Sequence, residues 1–139
     1  MMRLAFTSLL SILLLSASAQ NDSTSFRGHF INKEYNIFLK INLYDQDITI
    51  PGQEFYGPLP GYLGKNRYTS CWPVVKADVE EQKAILTLVN DYGSEDLTAT
   101  LTRENDTLYV FRQKDGSPLK MPEKGKWQKL PRVLEFVKH

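Results

Sequence analysis

The sequence predicts an all-β domain: a single antiparallel meander barrel, or a sandwich, of about eight short strands. Three observations carry that expectation. Apolar residues recur at every second position through several short segments. Turn residues punctuate the chain at intervals of about ten residues, and no segment holds a 3.6-residue period long enough for a helix. The 139 residues suit one domain.

The first segment, 1–19, has a different role. Arg3 precedes the apolar stretch Leu9–Leu15, interrupted only by Ser11, and Ala17-Ser18-Ala19 has the small-x-small form of a signal-peptidase site. The apolar run falls short of the ~20 residues needed to cross hydrocarbon. The sequence thus predicts export, with cleavage near Ala19 releasing a secreted or periplasmic domain, 20–139, without a membrane span. Losing Arg3 from seventeen basic residues balances the sixteen acidic ones. A neutral domain gives no electrostatic argument for nucleic acid.

Within 20–139 the elements follow in order. Phe26-Arg27-Gly28-His29-Phe30 alternates. Tyr35 to Tyr44 places Tyr35, Ile37, Leu39, Ile41 and Leu43 on one face, and Asn36, Phe38, Lys40, Asn42 and Tyr44 on the other. Asp45-Gln46-Asp47 reads as a turn, and Ile48-Thr49-Ile50 restarts the pattern. Phe55–Leu63, broken by Gly57, Pro58, Pro60 and Gly61, reads as loop or irregular edge rather than central strand. Trp72–Val79 and Lys83–Val89 are strands joined at Glu80-Glu81-Gln82. Leu97–Thr102 alternates without error, and Asn105-Asp106 turns into a strand over Thr107–Gln113. Asp115-Gly116 reads as a turn dipeptide. Lys126–Leu130 and Val133–Val137 close the chain.

No assembled catalytic set is visible, so the chain reads as non-enzymatic and without a cofactor. Its only histidines are His29 and His139, too few to supply an evident base for Ser, Thr or Cys. Cys71, the single cysteine, excludes an internal disulfide and reads as a buried thiol. Gly61-Tyr62-Leu63-Gly64-Lys65 lacks phosphate-loop spacing. Asp91, Glu95 and Asp96 surround Gly93 in a polar run that could offer oxygens to a hard cation, but it departs from the EF-hand pattern and matches ordinary hairpin chemistry. The same acids define the alternative of a small hydrolase.

Aromatic residues point instead to binding. Tyr56 and Tyr62 lie in a Pro/Gly-stiffened run, and Phe38 and Tyr44 sit on the polar face of their strand. These four are the expected contacts for a small ligand or glycan. Charge is uneven as well: Arg112 to Lys138 holds eight basic residues against three acidic ones. Lys124, Lys126 and Lys129 are the expected contacts for an envelope protein, as in an inhibitor or immunity protein that blocks an enzyme.

Phe26-x-Gly28-x-Phe30 near the start, the meander rhythm, and the closing Gly125-Lys126-Trp127 together resemble small lipocalin-like barrels, which occur among exported proteins of Bacteroidetes-type bacteria. Phe30 stands where a Trp is usual in that pattern, and the lipocalin disulfide cysteines are missing. The resemblance implies binding without naming a ligand. Asp22-Ser23-Thr24 and Asp106-Thr107-Leu108 resemble Bacteroidetes O-glycosylation sites, at Ser23 and Thr107. The overlapping Asn21-Asp22-Ser23 and Asn105-Asp106-Thr107 are N-glycosylation sequons.

Overall fold

The computed structural model describes residues 24–139. The proposed leader 1–19 and Ser23 lie outside them. Eight antiparallel strands close into a barrel: β1 (Arg27–Asn32), β2 (Ile37–Asn42), β3 (Gly61–Lys65), β4 (Cys71–Glu80), β5 (Lys83–Val89), β6 (Asp96–Arg103), β7 (Leu108–Gly116) and β10 (Val133–Lys138). Between β7 and β10 a separate hairpin forms from β8 (Lys120–Glu123) and β9 (Lys126–Lys129). Neighbours around the barrel are consecutive except at the closure, where β10 pairs with both β7 and β1. Closure leaves no open sheet edge on the barrel.

The alternation read from the sequence is what fills the interior. Ile37, Leu39 and Ile41 of β2, Ala84, Leu86 and Leu88 of β5, Leu97, Ala99 and Leu101 of β6, and Leu134 and Phe136 of β10 are all buried in one cluster. Phe30, Leu63, Trp72, Tyr109 and Phe111 join them. An eight-stranded barrel is wide enough either to be filled by side chains or to hold one small ligand. Here large rings occupy the centre, so ligand contacts must be sought on the outside or at the ends.

The strand directions put four connections at one end of the barrel and three at the other, where the chain also enters β1 and leaves β10. At this latter end, Phe26 plugs the opening. Its carbonyl accepts from Leu43 N–H at 3.0 Å, and its own N–H donates to the Tyr44 hydroxyl at 3.1 Å. The other end is covered by the β8–β9 hairpin, which buries Leu119, Met121 and Leu130 against the core. Its turn, Lys124-Gly125, has both φ angles positive, as a two-residue hairpin of matching twist requires.

Three expectations are corrected. Gly61–Leu63 belongs to a barrel strand, β3, not to a loop. A Cβ on Gly61 would lie 2.3 Å from the Lys40 carbonyl, so this glycine marks close strand approach. Asp115-Gly116 does not turn the chain. Both residues pair with β6, after a bulge that leaves Lys114 extra between Gln113 and Asp115. Lys126–Leu130 contributes to the capping hairpin and not to the barrel wall.

Buried Lys65 ties the cap to the wall. Its side chain is 1% exposed and its ammonium lies 2.9 Å from the Glu123 carboxylate, which keeps 40% of its side-chain surface in solvent. Trp72 Nε1 also donates to the Lys120 carbonyl at 2.9 Å, and Lys124 N–H to the Tyr68 hydroxyl at 3.3 Å. The hydrogen bond from Lys65 holds the Glu123 carboxyl below its ordinary 4.5. A depressed carboxyl stabilises the fold above its unfolded value and loses that contribution as pH falls through the folded one. Glu123→Gln is therefore expected to lower the melting temperature at neutral pH, by stranding a buried ammonium. It should also flatten the melting temperature's dependence on pH below 4.5. Restored stability in Lys65→Met/Glu123→Gln, measured by thermal melts, would identify the stranded charge as the cause.

Candidate functional site

The four expected ligand contacts separate into two roles. Phe38 and Tyr62 meet on the barrel's outer face, edge to face, with centroids 5.6 Å apart and planes at 82°. Phe38 lies directly over Gly64, where a Cβ would come within 2.6 Å of the ring. Tyr56 packs, with Tyr62, against a small outer cluster of Ile50, Leu59 and Cys71, beneath the 3₁₀ turn Glu54–Tyr56. Tyr44 is elsewhere. It packs against the main core, and its hydroxyl anchors the Phe26 plug.

The three expected partner lysines are on or beside the hairpin turn. Lys126 and Lys129, three positions apart on β9, project to opposite sides of it. Lys126 sits opposite Glu123 in the register, whose carboxylate pairs with Lys65, and Lys129 sits opposite Lys120. They do not form one basic face. Thr107 is exposed in the β6–β7 turn, where its hydroxyl donates to Asn105 Oδ1 at 3.2 Å.

A cleft of about 210 Å³ opens at the capped end, where three elements converge. The start of β4 supplies Ser70, Cys71 and Trp72; the β5–β6 loop supplies Asn90, Asp91, Tyr92 and Glu95; the hairpin supplies Lys120 and Trp127. Tyr92 is 78% and Trp127 57% exposed, an unusual surface position for two large rings lining one cleft. Asn90 organises the loop: its Oδ1 accepts from Ser94 N–H at 2.9 Å and Glu95 N–H at 3.2 Å, and its Nδ2 donates to the Ser94 hydroxyl. A pre-bent loop therefore presents Asp91, Tyr92 and Glu95 without being ordered by a ligand.

That internal bonding is how the run, read as ordinary hairpin chemistry with a cation as the lesser alternative, uses its polar side chains. Among the described residues no group of three or more His, Cys, Asp or Glu side chains is placed to hold a metal ion. Asp91 and Glu95 do line the cleft together, but Asp96 begins β6 and pairs with Val89. The sequence marks neither Tyr92 nor Trp127 as a ligand contact; Trp127 enters only with the closing Gly125-Lys126-Trp127, and no local signal unites the two rings.

Cys71 borders the same cleft as a buried thiol. Burial and the nearby Asp91 charge push its pKa up to about 11, with a hydrogen bond from Gln53 opposing the shift. The thiolate is the nucleophile, so this group is inert at neutral pH. Native protein is expected to resist iodoacetamide at neutral pH and to label fully once unfolded, as read by intact mass. Rapid native labelling would contradict the assigned burial.

No family model matches the chain, and comparison with curated proteins and with solved structures finds no match.

Proposed function

We propose that the protein is an exported, non-catalytic binding module that holds a neutral saccharide unit in the end cleft. The observation that carries this reading is the pair of exposed rings, Tyr92 and Trp127, lining one cleft with Asp91, Glu95 and Asn90. Aromatic rings offer apolar faces to the C–H surface of a sugar, while carboxylates and amides bond its hydroxyls. Lys120 offsets part of the two carboxylate charges, which favours an uncharged polyhydroxy ligand over a strong cation. At about 210 Å³ the cleft is smaller than the ~300–1,000 Å³ typical of drug-sized ligands, so it suits one sugar ring of a chain or terminus. A protonated Cys71 supports holding over covalent chemistry, and the filled barrel supports capture at the end instead of inside.

Titration of the protein with a panel of neutral monosaccharides and oligosaccharides tests this, read by tryptophan emission. Trp72 is buried and Trp127 exposed, so ligand stacking should perturb the exposed emitter. A saturable change with at least one neutral sugar is expected. Failure of every sugar, or equal binding of simple alkylammonium ions, would overturn the reading.

A further inference from the structure

Along the outer face of β1–β3, a second surface carries different chemistry. Two clefts, of about 580 and 280 Å³, flank the Phe38–Tyr62 pair and share Phe38, Tyr62 and Asn66 as common walls. Arg27 and Lys40 line the first, and Arg67 lines the second; all three are exposed. Among the described residues, no carboxylate lines either cleft. Among the described residues, the four ion pairs leave Arg27, Lys40 and Arg67 out. In a domain whose formal charges balance, three cations facing a groove without one acid is a local concentration and not a global trend.

The apolar lining is of a particular shape. Phe38 and Tyr62 stand nearly perpendicular, so they form a notch, not the flat platform a sugar ring requires. His29 continues the row, its ring 5.4 Å from Phe38. Ile48 borders one cleft, and Ile50 and Pro51 the other. An aromatic pair with exposed cations in the cleft on either side of it matches an extended chain bearing apolar and acidic side chains. Aromatic and Arg residues are also what protein interfaces enrich.

We infer that the outer face of β1–β3 docks an acidic, apolar-interleaved segment of a partner protein across the Phe38–Tyr62 notch, with Arg27, Lys40 and Arg67 meeting its carboxylates. The smaller of its clefts adjoins the end cleft at Ser70 and Cys71, but the aromatic pair and the three cations line no part of the end cleft, so docking here does not depend on a saccharide being bound there. Charge complementarity of this exposed kind acts through association rate and salt sensitivity.

The test uses a fluorescent peptide of repeating Asp-Leu-Asp-Ser, with an Asn-Leu-Asn-Ser control and polygalacturonate as a non-peptide polyanion, read by anisotropy and competition. The acidic peptide should bind saturably, and added salt should weaken it. Arg27→Gln/Lys40→Gln should weaken it by about tenfold. Lys83→Gln, on β5 beyond this face, should bind as the parent does. The variant sites are exposed, so melting curves should be unchanged and any loss is one of contact. Equal binding of the Asn control, no change in the double variant, or capture of polygalacturonate without the peptide would each overturn the assignment. None of these outcomes bears on sugar binding at Trp127, so the two proposals fail separately.

Discussion

Replacing Tyr109 with alanine is expected to destabilise the domain by about 3–5 kcal/mol, while Tyr109→Phe costs about 1 kcal/mol. Tyr109 is fully buried in β7, edge-on to Phe26 at 5.7 Å and to Phe30 at 4.6 Å. Its hydroxyl donates to the Ser25 carbonyl. The alanine variant would empty the centre of this aromatic group and loosen the Phe26 plug, which the surrounding wall cannot collapse to replace. In the phenylalanine variant the rings remain, and the Ser25 carbonyl keeps the Lys138 ammonium as a donor. A whole domain is stable by only ~5–15 kcal/mol, so the first change removes a large fraction and the second a small one. Thermal melts should show Tyr109→Ala lowered by more than about 10 °C at roughly 4 °C per kcal/mol. Equal small losses in both variants would mean the plug is not packed as described.

The role of Tyr109 was within reach of the sequence, because Tyr109 and Phe111 alternate with Leu108 and Val110 in plain period two. The same signal exposed β2, β5, β6 and β10. Where it failed, a glycine had been read for its flexibility when the fold uses its smallness. Gly61 and Gly64 look like loop residues beside Pro58 and Pro60, yet β3 needs them where the Lys40 carbonyl and the Phe38 ring come close. Gly116 followed the same course. Its φ of +96° serves the end of a bulged strand, and a Cβ there would lie 2.4 Å from the Asp96 carbonyl.

The candidate sites were legible in part, for a related reason. Phe38 and Tyr62 come together because β2 and β3 are neighbours and both residues face outward. Tyr44 shares the outward parity of Phe38 on paper, but the chain turns after Asn42 and its ring swings to the plug. The end cleft was illegible because its parts lie on three separate connections. Asp91 and Glu95 stood out as acids, whereas Tyr92 passed as a turn residue and Trp127 as part of a closing strand. Only barrel closure and the folding-over of β8–β9 bring the two rings to one opening.

Those two rings give the largest expected effect on binding. Trp127→Ala and Tyr92→Ala are each expected to weaken the best neutral saccharide about tenfold, and the double variant about a hundredfold. Tyr92 lies in the β5–β6 loop and Trp127 on β9, so their losses should be close to additive unless one sugar face bridges both. Both side chains are more than half exposed, and truncating such residues away from the core changes stability by about 0.5 kcal/mol or less. Binding and folding are thereby separated, in contrast to Tyr109, where folding alone is affected. Asp91→Asn supplies the polar half of the comparison: it keeps the shape and a hydrogen-bonding group but removes the charge, so a neutral sugar should lose much less than tenfold. A cationic ligand would instead lose most of its affinity in Asp91→Asn and little in Tyr92→Ala. Calorimetric titration of the four variants therefore distinguishes a ring-stacked sugar from a charge-held amine. An intact affinity in the double ring variant would remove the end cleft as the binding site.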